Sequence, residues 1–260
     1  MKLSVGIITY NEERNLPGTL GAVKDIADEI IIVDSHSTDN TVKIAERYGA
    51  KIYIEDWKGF GAQKNSAIDK CHGEWILLID ADEEVSTELK ARISSIVDGA
   101  EDCDVYSINR CAVCFGKEQK YGGWSNQYAV RLWRNGCVRV SDNLVHEDFI
   151  TDKEVKKVSE KIFHHTYLTM HDYFERFNKY TTLGAQRYYR EGKRPSVTKI
   201  ILSPLFKFIR MYVFRLGFLD GVEGLAIAST SAMYCMVKYF KLREMHLNNA
   251  YNLETNTSGL

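Results

Sequence analysis

Trp75-Ile76-Leu77-Leu78-Ile79-Asp80-Ala81-Asp82 decides the fold class. Five apolar residues in a row read as a strand, and the strand runs straight into two carboxylates. Upstream the same grammar recurs. Leu3-Ser4-Val5-Gly6-Ile7-Ile8 is apolar and ends in Thr9-Tyr10-Asn11-Glu12. Glu29-Ile30-Ile31-Ile32-Val33 is nearly all β-branched, as in a central parallel strand covered on both faces, and stops at Asp34. Lys51-Ile52-Tyr53-Ile54 is a further strand. Between them, Leu16, Leu20 and Val23 recur at helical spacing. Val42–Tyr48 follows N-cap candidates Ser37, Thr38 and Asp39 and is stopped by Gly49, and residues 61–70 and 86–97 also read as helices. Strand alternating with helix over short connections predicts an α/β fold with a mostly parallel sheet.

From about residue 104 the texture changes. Asp104–Arg110, Tyr128–Arg134 and Val138–Val140 read as strands among glycine-rich loops, and beyond 168 the pattern is helical. The predicted organisation is therefore a catalytic domain over 1–167, a helical extension over 168–251 and a polar tail over 252–260. The domain divides into a binding half (1–100) and an acceptor half (101–167).

The chain has 260 residues, enough for a substantial core. Its 34 Lys/Arg nearly cancel 35 Asp/Glu, which argues against nucleic acid as a partner. The near-neutrality hides segregation: residues 193–243 hold nine Lys/Arg against two Asp/Glu. Six scattered cysteines and the absence of a signal-peptide pattern point to a reducing cytoplasm. Cys111-x-x-Cys114 has no second pair to complete a zinc site, and free buried thiols explain it more simply.

In open parallel sheets the ligand crevice lies beyond the carboxyl ends of the strands. Three strands here end in polar or acidic residues, while no Gly-x-Gly-x-x-Gly follows the first strand and no Walker-type Gly-Lys-Ser/Thr occurs. Asp80 and Asp82, two apart in extended chain, point to one side and can converge beneath a hard cation such as Mg²⁺ or Mn²⁺, whose remaining positions diphosphate oxygens would fill. A solvated acidic turn capping the next helix is the plainer alternative.

Ile7-Ile8-Thr9-Tyr10-Asn11-Glu12, Ile32-Val33-Asp34-Ser35 with Ser37-Thr38-Asp39, Lys64-Asn65-Ser66-Ala67 and Leu78-Ile79-Asp80-Ala81-Asp82, in that order, resemble the signature of family-2 glycosyltransferases. The resemblance implies a three-layer GT-A fold and a nucleoside-diphosphate sugar donor, here UDP-glucose. It implies nucleoside contacts from Thr9, Asn11, Glu12 and Asp34, with Lys64 near the diphosphate. Asp80 would face ribose or metal, and Asp82 would ligate the metal, with His164 as a further ligand or simply a packing residue. Gly122-Gly123-Trp124, Val130-Arg131-Leu132-Trp133-Arg134, Leu144-Val145-His146-Glu147 and Gly217-Phe218-Leu219-Asp220-Gly221 are similar to bacterial enzymes of the lipopolysaccharide inner core. That similarity implies inverting transfer of a hexose to a saccharide hydroxyl of a glycolipid, with Glu147 or Asp148 as general base. Trp124 reads as an acceptor-stacking ring or a core aromatic, and Arg131 as an acceptor contact or an ion-pair partner of Glu147.

In the helical end, aromatics and aliphatics of 202–217 alternate with Lys207, Arg210 and Arg215, which suits an amphipathic helix on an anionic membrane surface. Residues 224–237 carry no charge but are too few to span a bilayer. The expected location is the inner face of the cytoplasmic membrane. Transfer to polyprenyl phosphate and a non-catalytic sugar-nucleotide-binding scaffold remain alternative readings.

Overall fold

The computed structural model describes residues 1–124, 126–141 and 148–257, with side chains through residue 247. In chain order the elements begin β1 (Leu3–Thr9), α1 (Leu16–Val23), β2 (Glu29–Asp34), α2 (Thr41–Arg47), β3 (Lys51–Ile54), α3 (Phe60–Lys70), β4 (Trp75–Asp80), β5 (Glu83–Val85) and α4 (Thr87–Val97). They continue as β6 (Val105–Cys114), β7 (Lys117–Glu118), β8 (Gln127–Arg134), β9 (Arg139–Val140), β10 (Phe149–Ile150), β11 (Val155–Tyr167), α5 (Met170–Arg190), α6 (Val197–Ile209) and α7 (Val222–Thr257).

The chain forms two compact units. The first, residues 1–112 with 126–166, is the α/β unit. Among the described residues the main sheet runs β3-β2-β1-β4-β8-β6-β11-β5, with β7 pairing β6 off that path. β1 is parallel to β2 and β4, and β2 to β3. Beyond β4 the sheet turns antiparallel, through β8 against β4 and β6 and through β11 against β5. The mostly parallel expectation thus describes the first half only. The last helix of this unit is α4, before β6, and strands joined without a helix between them, as β6 and β8 are, need not run the same way.

Both faces of the parallel half are covered, which explains its unbroken apolar runs. Leu16, Leu20, Leu89, Ile93 and Ile96 pack with Val5, Ile7, Leu77 and Ile79 on one face. Ala67, Ile68 and Cys71 of α3 and its flank pack with Ile31, Val33, Ile76 and Leu78 on the other. Gly6 permits that approach, since a Cβ there would sit 3.1 Å from Leu78 Cδ1 and 3.7 Å from Ala67 Cβ. Strand register then sets the site: Ile8 lies beside Asp80 and Thr9 beside Asp34, so three neighbouring strands deliver polar groups to one edge.

The second unit comprises 113–125 and 167–260. Residues 113–125, grouped by the sequence reading with the acceptor half, join the helices here. Asp220 accepts the backbone N–H groups of Lys120 (3.1 Å) and Tyr121 (2.9 Å), which ties this segment down. A capping box between Thr169 and Asp172 starts α5. Its buried Tyr173, Phe177, Thr181 and Ala185 recur every four residues, and the Tyr234 hydroxyl of α7 donates to the Tyr180 carbonyl at 3.0 Å. The helix expected over 202–217 ends at Ile209, passes through a π-helical turn (Arg210–Phe214), and breaks at Leu216, whose φ of 56° is left-handed. α7 continues from the uncharged stretch through Lys238, Lys241 and Arg243 without a break. Lys241 Nζ donates to Asn178 Oδ1 and to the hydroxyls of Thr181 and Thr182, so its charge is solvated inside the bundle. No helix among the described residues is long and apolar enough to cross a membrane.

Candidate active site

At the ends of β1 and β2 a hydrogen-bonded lattice joins two loops. Asp34, wholly buried, accepts the Thr9 hydroxyl (2.7 Å), the Ser37 hydroxyl (2.6 Å) and the Ser37 N–H (2.8 Å). Ser37 Oγ accepts the Asn11 N–H, and Asn11 Oδ1 accepts the Thr38 N–H, both at 2.8 Å. Asn11 and His36 hold φ of 55° and 59°, a conformation that costs roughly 1–3 kcal/mol and persists only where surroundings fix it. Glu12 donates its N–H to Thr41 Oγ1 (2.7 Å) and accepts the Asn15 amide (2.9 Å). Asp34 therefore acts as the inner brace of this lattice, while Tyr10 and Asn11 stand at its exposed rim.

Asp80 ends β4 inside a cluster of cations. Its Oδ1 lies 3.0 Å from Lys64 Nζ, its Oδ2 lies 2.7 Å from an Arg131 nitrogen, and Arg110 is 3.8 Å away. Burial would raise the carboxyl, but the charges of Arg131, Lys64 and Arg110 outweigh it and hold Asp80 well below the usual carboxylate range. Glu83, which is 0% exposed, accepts from Arg131 at 2.8 Å and from Arg110, and its second oxygen takes the Asp80 N–H at 3.0 Å. Arg131, a sequence candidate for the acceptor, is buried here and spends its guanidinium on Asp80 and Glu83. The sequence reading missed Glu83 and Arg110 as site residues. The acidic run 80–84 looks like a solvated turn until the strands close over it.

Asp82 is served from the far side of the sheet. β11 pairs antiparallel with β5, putting His164 opposite Glu83, and the His165 N–H donates to the Asp82 carbonyl at 2.9 Å. His164 Nε2 then lies 3.2 Å from Asp82 Oδ2, with Thr166 Oγ1 2.8 Å from Nδ1. Thr166 Oγ1 also donates to the His164 carbonyl at 3.2 Å. Either ring nitrogen can carry the proton: Nε2–H donates to the Asp82 carboxylate, while Nδ1–H donates to Thr166 Oγ1 and leaves the Nε2 lone pair toward Asp82. In the second state the carboxylate oxygen and the imidazole lone pair could both be ligands to one cation. Neighbouring ligands of an octahedral ion at about 2.1 Å stand about 3.0 Å apart, so the pair fits a divalent cation. The three candidate ligands thus divide, with Asp82 and His164 facing each other and both oxygens of Asp80 engaged by cations. Among the described residues no three His, Cys, Asp or Glu side chains form a metal cluster, so a bound ion needs oxygens from a ligand or water.

Glu147 lies outside the described residues. Asp148 is exposed, and its backbone exchanges hydrogen bonds with Ser141 beside the β9–β10 pair. Trp124 belongs to the second unit, half-buried, its ring 6.0 Å from that of Tyr167.

Comparison with known proteins gives the same direction. The sequence pattern of glycosyl transferase family 2 matches residues 4–147, more than half of the chain. A lipopolysaccharide core biosynthesis glycosyltransferase, LpsC of Rhizobium meliloti, is 30% identical over 254 residues, covering 95% of this chain and 93% of its own. An uncharacterised glycosyltransferase of Rickettsia bellii is 30% identical over 265 residues, covering 95% and 87%. Among solved structures, S. aureus TarS (residues 1–349) in complex with UDP-GlcNAc is similar over 96% of this chain and 92% of that one, with 16% identity and a TM-score of 0.47. With the family pattern running from β1 through the acidic end of β4 and beyond, the chain belongs to glycosyl transferase family 2 and is an α/β glycosyltransferase.

Proposed function

We propose that the protein transfers a hexose, glucose from UDP-glucose, to a saccharide hydroxyl of a lipopolysaccharide-core-type glycolipid with inversion at the anomeric carbon. The observation that carries this reading is the row of Thr9, Asp34 and Asp80 on adjacent strand ends, with the Asp82–His164 pair beside it. The relative named for lipopolysaccharide core biosynthesis supports the acceptor class. A nucleotide-sugar donor and a lipid-linked acceptor are consistent with work at the inner face of the cytoplasmic membrane.

The chain's residues divide the labour as follows. The loops braced by Asp34 receive the nucleoside, with Asn11 and Glu12 at the rim. Asp82 and His164 would hold Mg²⁺ or Mn²⁺, which when bound supplies positive charge to the departing diphosphate. Lys64, now paired with Asp80, lies where its ammonium can share that load. A carboxylate, Glu147 or Asp148, takes the proton from the acceptor hydroxyl as it attacks the anomeric carbon and the nucleoside diphosphate leaves.

The test is a transfer assay with UDP-glucose, Mn²⁺ and a heptose-bearing core oligosaccharide, reading product configuration by NMR. The product carries the anomeric configuration opposite to the donor, and Glu147→Gln lowers kcat about 10²–10⁴-fold while donor affinity stays within about twofold. The same loss in Asp148→Asn, with Glu147→Gln active, would move the base to Asp148. Wild-type turnover in both variants would overturn base catalysis by either carboxylate, whereas wild-type transfer to polyprenyl phosphate and none to the oligosaccharide would favour an acceptor that is already an anion.

A further inference from the structure

We infer that the face formed by α6 and the turns after it docks on an anionic phospholipid surface. α6 turns only Ile200 fully inward. On the opposite side Ile201, Leu202, Leu205 and Phe206, at i, i+1, i+4 and i+5, make one exposed apolar stripe. The following turns add a projecting apolar knuckle, in which Phe214 is 76% and Val222 77% exposed, with Leu219 outward between them. Single exposed apolar residues need no explanation, but a run of this size does.

Charge identifies the occupant. At 100° per residue Lys199 and Arg210 fall beside Phe206 on the rim of the stripe, and Arg194 stands exposed just before the helix. The carboxylates nearest in sequence are already engaged. Asp220 is buried against the N–H groups of Lys120 and Tyr121, Glu223 pairs with Lys117, and Glu191 pairs with Lys193. From residue 194 to 222 the exposed surface thus offers apolar groups and positive charge with no exposed carboxylate. That combination suits insertion of side chains between anionic headgroups. A second copy of the chain would bring the same cations against each other. No described helix is apolar and long enough to cross the bilayer, so the contact is with its surface.

The experiment is flotation of the full chain with vesicles of phosphatidylcholine alone or with 30% phosphatidylglycerol. Binding is expected to the anionic vesicles only and to weaken as salt is raised. The triple variant Arg194→Gln/Lys199→Gln/Arg210→Gln should bind about 10²-fold less. Phe206→Ser/Phe214→Ser should lose at least about tenfold with its salt dependence kept. Phe214→Trp, which preserves the surface, should show blue-shifted fluorescence on anionic vesicles. Equal binding to both vesicle types, or none by wild type, would overturn the inference. So would a dimer in solution that Phe206→Ser/Phe214→Ser converts to monomer, since the face would then belong to a second copy. The measurement uses no nucleotide, so its failure leaves the transferase reading untouched, and failure of donor binding leaves the docking result standing.

Discussion

Arg131→Met should lower the melting temperature by roughly 4–12 °C, the largest stability effect expected from a single side chain here. Arg131 is almost fully buried and bridges Asp80 and Glu83, and Glu83 has no exposure through which water could solvate its charge. Removing Arg131 takes away the bridge between the two carboxylates, while Arg110 still pairs with Glu83 and Lys64 with Asp80, so the cost is about 2–3 kcal/mol, below that of a fully stranded buried charge. In a chain of this size each kcal/mol moves the midpoint by about 2–4 °C. The double variant Arg131→Met/Glu83→Gln should be less damaged than the sum of its parts, because the two side chains touch and the same contact is lost in either single variant. Acid adds a sign to check. Asp80 in the folded protein sits below its ordinary value of 3.8, so its pairing contributes stability above that pH and loses it as pH falls. Without Arg131 that depression shrinks, and the variant should lose less stability on acidification than the wild type. A midpoint within about 2 °C of wild type, measured by calorimetry at pH 7, would contradict the network.

Asp82→Ala should remove most of the turnover, on the order of 10²–10³-fold in kcat/KM, with the fold intact. The carboxylate sits on the turn between β4 and β5, and its ion-pair partner among the described residues is His164. Truncation therefore breaks no bridge between buried charges, unlike loss of Arg131, and the melting temperature should move by only a few degrees. Loss of activity without loss of fold is the signature of a ligand for the donor's metal. His164→Ala should act in the same direction and more weakly, since a carboxylate supplies the charge that the imidazole does not. Retained kcat/KM in Asp82→Ala at saturating Mn²⁺ would remove Asp82 from the site.

Much of this arrangement is legible in the sequence, and the rest is hidden for identifiable reasons. The runs Leu3–Ile8, Glu29–Val33 and Trp75–Ile79 announce their strands because a strand buried on both faces leaves no room for polar residues. Their polar ends announce the edge where a ligand belongs. Pairing direction is not written locally. Tyr128–Arg134 reads as a strand whichever way it runs, and only its antiparallel place beside β4 turns Arg131 toward Asp80. Glu83 is hidden for a similar reason. One carboxylate among Asp80, Asp82, Glu83 and Glu84 looks like any other until β11 closes against β5 and arginines from β6 and β8 converge on it. His164 stood out as a candidate through family resemblance, yet its approach to Asp82 depends on a register set 82 residues away in the chain. At the helical end, composition pointed to an amphipathic element, while the break at Leu216 and the exposed knuckle after it come from backbone geometry.

The central claim is that the acidic edge of β1, β2 and β4 is a metal-assisted site for a nucleoside-diphosphate sugar. Calorimetric titration of UDP-glucose into the wild-type protein, with Mn²⁺ and again after EDTA treatment, tests it most directly. Saturable one-site binding is expected with Mn²⁺, falling at least about tenfold in its absence. Equal affinity in the two titrations, or no binding of any nucleoside-diphosphate sugar with Mn²⁺ present, would contradict it.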